Sequence, residues 1–169
     1  MHAGKNKPCF VYLIPHKIYN MKNLFETNAY NEILQRLDKL TPASQRQWGK
    51  MDVSQMMAHC SEPLYIALGD KQGKRTLMGF LFGKIAKKSI VGEQPFKRSL
   101  PTAKEFLVSG QKDFNAEKEK LKGLINRFYA AKDTMPAVSK HFFFGEMTAA
   151  EWSQSTYKHL DHHLQQFGV

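Results

Sequence analysis

The stretch Lys158-His159-Leu160-Asp161-His162-His163-Leu164-Gln165-Gln166 decides how this chain is read. It follows Thr148-Ala149-Ala150-Glu151, which has the form of a capping box, and it precedes Gly168, a common helix stop, so one helix is expected to run to about Phe167. In that helix His159 and His163 stand one turn apart on the same face, with Cβ atoms about 5–6 Å apart, and both imidazoles can reach a single metal ion. Trp152 and Thr156 share their stripe, and Leu160, Leu164 and Phe167 lie beside it, which turns the histidines toward the interior. Neutral imidazole is a good ligand for zinc, nickel, copper or iron(II). A catalytic site of this type takes three protein ligands and keeps a position open, so a third donor must come from elsewhere. The candidate is His59.

His59 falls in a second expected helix. Asp52-Val53-Ser54-Gln55 has the capping-box form, and Val53, Met56, Met57, Cys60 and Leu64 follow as a buried stripe with His59 at its margin. Alone, a histidine in such a place reads as a hydrogen-bonded group at the edge of the core; the pair at 159 and 163 makes it a ligand candidate. Glu62, one turn further on, and Asp161 are candidates to support the ligands. His162 points about a quarter-turn away and reads as a surface residue, and His141 reads as structural.

Three more helices follow from periodicity. Tyr30, Ile33, Leu34, Leu37 and Leu40 recur at three- and four-residue spacing between residues 27 and 40, and Thr41-Pro42 ends that helix. Residues 76–90 form a short helix, its apolar run reading as core and Lys84, Lys87 and Lys88 as its solvated outer face. Asp113 caps the next, with Phe114, Leu121, Leu124, Ile125 and Phe128 on one face and Glu117, Lys118, Glu119, Lys120 and Lys122 on the other. Residues 91–112, with Gly92, Pro95, Pro101 and Gly110, read as a long excursion able to cover a site. Residues 132–147 cross to the last helix, and Phe142-Phe143-Phe144 reads as core or loop anchor.

A chain of 169 residues, 42% hydrophobic and 24% charged, suits one globular domain without disulfides. No apolar run is long enough to span a bilayer, and no membrane partner is expected. The net charge of +10 raises the question of nucleic acid, but the basic residues are dispersed and no zinc-finger, RNP or GxxG pattern accompanies them, so nucleic acid is not an expected partner. The two cysteines, Cys9 and Cys60, imply no disulfide framework. Pro15 stops the apolar run 10–14 and no cleavage site follows, so no signal peptide is expected and the cytoplasm is the default location. Met21 makes a natural start, which leaves residues 1–20 as an N-terminal extension and 21–169 as the domain.

HExxH, Glu-x-x-His, CxxC, GxSxG and phosphate-loop motifs are absent. What is present resembles a known group. Trp48-Gly49-Lys50-Met51-Asp52-Val53-Ser54-Gln55-Met56-Met57-Ala58-His59-Cys60, then Phe143-Phe144-Gly145 leading to Thr148 and Trp152, then Tyr157-Lys158-His159-Leu160-Asp161-His162-His163, is similar to the DinB/YfiT-like superfamily of metalloenzyme-type proteins, and within it to a small branch defined only as a domain of unknown function. The resemblance covers roughly residues 21–169. It implies an all-α, DinB-like four-helix bundle with an extra short helix and long connecting loops. It also implies one divalent metal held by a histidine of the second helix and an HxxxH pair of the last, which here are His59, His159 and His163.

Some members of that superfamily use the metal to activate a low-molecular-weight thiol such as bacillithiol or mycothiol, a sensible chemistry because a thiol on a metal is deprotonated at neutral pH. The resemblance therefore implies a metal-dependent transferase or hydrolase, a thiol cofactor and a homodimer, with the substrate unspecified. Phe142 stands where close members have Pro after His141. The contrasting reading is a non-catalytic binding or stress-related bundle whose histidines are structural. Because imidazole must be neutral to bind metal, histidine ligation predicts an affinity that falls below about pH 6.5.

Overall fold

A computed structural model describes residues 21–74, 77–100 and 106–169, and the proposed extension 1–20 lies outside them. The chain runs through α1 (Thr27–Asp38), α2 (Val53–Ala67), α3 (Leu77–Val91), α4 (Phe114–Ala130), a 3-10 turn (Ala131–Asp133), β1 (Val138–His141), β2 (Gly145–Thr148) and α5 (Ala149–Gln166). Among the described residues it is mainly helical, with one two-stranded sheet.

Local chemistry accounts for the helix starts. The Asp52 carboxylate accepts from the Gln55 amide (2.8 Å) while the Gln55 side chain accepts from the Asp52 amide (3.1 Å). Thr148 and Glu151 close the same reciprocal pair ahead of α5, at 3.2 and 2.8 Å, satisfying amides the first turn leaves without helical partners. Asp113 accepts from the Ala116 amide (2.7 Å) and starts α4. Inside α2, Pro63 has no N–H to return to the carbonyl of His59 four residues back, so the ladder lacks a bond at the turn that carries His59.

The core lies between α1, α2, α4 and α5. Ile33 and Leu37 of α1, Met57 and Leu64 of α2, Leu121, Ile125 and Phe128 of α4, and Leu160 and Leu164 of α5 are all buried in it. Phe25 stacks on Phe128 (5.1 Å between centroids) and Tyr30 on Tyr129 (4.1 Å), joining the start of the chain to α4. Glu117, expected on the solvent face of α4, is buried, because it lies on the Leu121–Leu124–Phe128 stripe; Lys120 holds its carboxylate at 2.8 Å.

The mainly helical chain agrees with the all-α reading in outline and adds a short hairpin: β1 and β2 pair antiparallel with Ser139 opposite Met147 and His141 opposite Gly145, and Gly145 takes φ 80° at the end of the Phe142-Phe143-Phe144 turn. The hairpin docks on α5 through Trp152, whose Nε1 donates to the Ser139 hydroxyl (2.8 Å).

A correction falls on α3, where the apolar run expected in the core is exposed while Lys84 and Lys88 stay outside as expected. Its buried positions are Gly79 and Gly83, while Leu77, Met78, Leu81, Phe82 and Ile85 are exposed. Gly83 lies so close to the Phe143 carbonyl that a Cβ there would overlap it, so the glycine side is what allows α3 to approach the hairpin. Lys87, expected outside, turns inward to the Glu151 carboxylate (2.7 Å) and the Glu146 carbonyl (2.6 Å).

Candidate metal centre

The capping box at Asp52 sets the phase of α2, and the stripe Val53, Met56, Met57, Cys60 and Leu64 turns that helix so that His59 is buried beside it. The capping box at Thr148 does the same for α5, where His163 is buried and His159 is partly accessible. The two helices pack together, and the three rings meet. Their centroids are 4.9 Å (His59 to His159), 4.7 Å (His59 to His163) and 4.7 Å (His159 to His163) apart. One ligand atom from each lies within 4.8 Å of the others.

Hydrogen bonds on the far side of two rings determine which nitrogen faces the centre. His59 Nδ1 lies 3.0 Å from the carbonyl oxygen of Phe106, so it carries the proton and donates, leaving a lone pair on Nε2. His163 Nδ1 lies 2.9 Å from Oε1 of Gln166. The Gln166 side-chain amide is oriented in turn, because its Nε2 donates to the Trp48 carbonyl (2.7 Å), while its backbone carbonyl accepts separately from the Gln47 backbone amide (2.7 Å). Gln166 Oε1 is therefore the acceptor, and His163 also presents Nε2. Metal-binding histidines are typically braced in this way.

Nε2 of His59 and Nε2 of His159 are 3.0 Å apart. Two nitrogens bound at about 2.1 Å to one ion and subtending roughly 90–110° lie about 3.0–3.4 Å apart, so the spacing fits shared ligation. The electrostatics point the same way. Burial pushes the His59 pKa below its usual value and, aided by the neighbouring His59 charge, brings His163 down to about 3. Burial, then His163 and His59, hold His159 well below the usual imidazole range. At neutral pH all three rings are uncharged, the form that binds a divalent ion.

A family described as "Protein of unknown function (DUF1569)" matches residues 20–168. The chain belongs to that family. No curated protein and no solved structure matches it.

In this DUF1569 chain the other singled-out residues sort differently. Glu62 does not reach the imidazoles; its carboxylate is held by Lys71 (2.7 Å), and its charge only partly offsets the lowering at His59. Asp161 is turned away to Arg36 (2.6 Å) and Gln165 (2.8 Å). His162, read as a surface residue, is half-buried between Trp48 and Phe96, both 5.7 Å away between centroids. The described part of the long 91–112 excursion thus comes over the centre at two points, Phe96 against His162 and Phe106 against His59. Phe142, at the position of the Pro departure, stacks on His141 (4.6 Å) and meets the Phe106 ring (5.8 Å).

Gln166 and Phe106 escaped the sequence reading. Gln166 had a signal, since it lies three residues past His163 on the same helix. Phe106 had none, because it contributes a backbone carbonyl. A cavity of about 1090 Å³ opens between α3, the hairpin and the end of α2; Phe142 lines it, and the three histidines do not.

Proposed function

We propose that this chain holds one divalent ion, zinc, nickel or iron, on His59, His159 and His163, and that it works as a metal-dependent transferase or hydrolase acting through a thiol or water nucleophile. The observation that carries the reading is the donor set: three neutral imidazoles from two helices, two of them braced through Nδ1 so that Nε2 faces the centre. The chemistry a bound divalent ion supplies here is Lewis acidity, which lowers the pKa of a thiol or water reaching its open side. His59 and His163 hold their tautomers through Phe106 and Gln166, so on these two rings no proton has to move before binding; His159, which donates from Nε2 to His59, gives up or relocates that proton. The Phe106 ring meets the His59 ring edge-on, 6.4 Å between centroids.

The same reading takes α1, α2, α4 and α5 as a DinB-like four-helix bundle, supported by the single core these helices share. With it go a low-molecular-weight thiol cofactor and a homodimer, which the DinB resemblance implies, and a cytoplasmic location, the default in the absence of a signal-peptide pattern.

Elemental analysis of untagged protein grown in metal-supplemented medium, beside His59→Ala and His159→Ala, tests the reading. About one metal per chain, lost in both variants while helical circular dichroism is retained, supports it. No metal in the parent and none taken up on titration would make the histidines structural, joined by the direct His59–His159 hydrogen bond.

A further inference from the structure

α3 turns its bulk outward. Leu77 is 74% exposed, Ile85 69% and Phe82 48%, with Met78 and Leu81 between them, so the outer face of one helix carries a contiguous apolar patch of the kind that marks an interaction site. This face is held in place from beneath. Gly83 brings the backbone against the hairpin, Gly79 is buried one turn before it, Lys87 reaches Glu151, and Lys158 of α5 donates to the carbonyls of Ser89 and Gly92 (2.8 and 2.7 Å) at the end of α3.

The charge on the same helix selects the partner. α3 contains three lysines and no acid. Lys84 and Lys88 are exposed and line the mouth of the cavity between α3 and the hairpin, beside the apolar face, and among the described residues no carboxylate pairs with either. The apolar face is therefore flanked on one side by unpaired cations. Two such faces packed together would gather their lysines without a counter-charge, whereas an anionic lipid surface accepts the apolar face and neutralises its cationic flank. At 15 residues the helix is about 22 Å long and too short to cross a bilayer, so it would lie in the interface. The net charge of +10 adds long-range attraction to the same surface.

We infer that α3 is a peripheral docking helix for anionic membrane, with its 77–85 face entering the headgroup–acyl boundary and Lys84 and Lys88 at the level of the phosphates. The absence of a spanning helix among the described residues is compatible with this surface contact.

Co-sedimentation of the full chain with mixed phosphatidylglycerol–phosphatidylcholine vesicles and with pure phosphatidylcholine vesicles tests the inference. Binding is expected to the anionic vesicles alone and to weaken as salt is raised. Leu81→Glu with Ile85→Glu should abolish it, and Lys84→Gln with Lys88→Gln should weaken it roughly tenfold or more. These side chains lie outside the core, so both variants should keep the parent's circular dichroism, which separates lost docking from lost folding. No binding to anionic vesicles, or equal binding to neutral ones, overturns the inference. So does a dimer in sedimentation equilibrium that Leu81→Glu dissociates while the parent ignores vesicles, an outcome that assigns the face to a second copy of the chain.

Discussion

Nε2 of His59 and Nε2 of His159 stand 3.0 Å apart across α2 and α5, a hundred residues apart in sequence. Because His59 spends its proton on the Phe106 carbonyl, only His159 can donate across that gap, and it does so only while nothing else occupies the space between them. A cation replaces that bond once the His159 proton leaves Nε2 or shifts to Nδ1 and frees its lone pair. The two helices therefore keep the same separation in either condition, and metal binding should leave the packing of α2 on α5 essentially unchanged. Near-ultraviolet circular dichroism with and without zinc should superimpose apart from local changes; a wholesale change would contradict a preformed site.

Proton competition is the next consequence, and it moves the sequence expectation. Free imidazole chemistry puts the loss of metal below about pH 6.5. Here burial lowers His59, holds His159 well below its ordinary range and brings His163 to about 3. A lowered pKa keeps the neutral, ligating form populated to lower pH. Metal affinity is accordingly expected to stay flat through pH 6.5 and to fall only in more acidic solution. Zinc titrations against a chromophoric competitor at stepped pH would show this, and a midpoint at 6.5 or above would refute it.

Gln166 offers a test of the ligand bracing that spares the ligands themselves. Its Oε1 accepts from His163 Nδ1 and its side-chain Nε2 is anchored to the Trp48 carbonyl. Gln166→Met keeps volume and removes the acceptor, so metal affinity should drop by about 10- to 100-fold while the helical signal persists. An unchanged affinity would mean that His163 is not oriented through this bond.

How much of this was legible in the sequence depended on whether a residue's role ran along its own helix. The capping boxes at Asp52 and Thr148 and the stripes of α1, α2, α4 and α5 are local, and they placed the three histidines on facing helices. The hairpin was less visible, since its strands are four residues each and flank a run of three phenylalanines. α3 misled because it is apolar on nearly every side; only the four-residue spacing of Gly79 and Gly83 hinted that its small stripe, and not its large one, would face the protein. The Phe106 carbonyl had no side-chain signature at all.

That glycine stripe can be tested against an internal control. In an exposed helix Gly→Ala stabilises by about 1 kcal/mol through backbone entropy. At Gly123 on α4 nothing lies within 4 Å of an added Cβ, so Gly123→Ala should gain about that much. At Gly83 the new Cβ overlaps the Phe143 carbonyl, and the overpacking cost of about 1–3 kcal/mol should exceed the gain. Thermal melts of the two variants should therefore move in opposite directions. A stabilised Gly83→Ala would mean that α3 does not rest on the hairpin through this face.

His141 supplies a pH dependence of folding that is separate from the metal centre. Its Nδ1 accepts from the amides of Phe143 and Phe144 (3.0 and 3.2 Å), and its ring stacks with Phe142 and Phe144 (4.6 and 4.4 Å). Burial pushes its pKa down to about 4, so the unfolded chain, with an ordinary value near 6.5, takes up the proton first. Stability is then level above about pH 6.5, falls as pH drops toward 4, and levels again below, a loss of about 3 kcal/mol at most from this group. His141→Asn can keep an acceptor near the position of Nδ1 but does not titrate. Urea denaturation with chelator present, which removes any metal linkage, should show a shallower decline between pH 6.5 and 4 in the variant, even if that variant is less stable throughout. Identical slopes would mean that His141 can be protonated within the folded hairpin without breaking its turn.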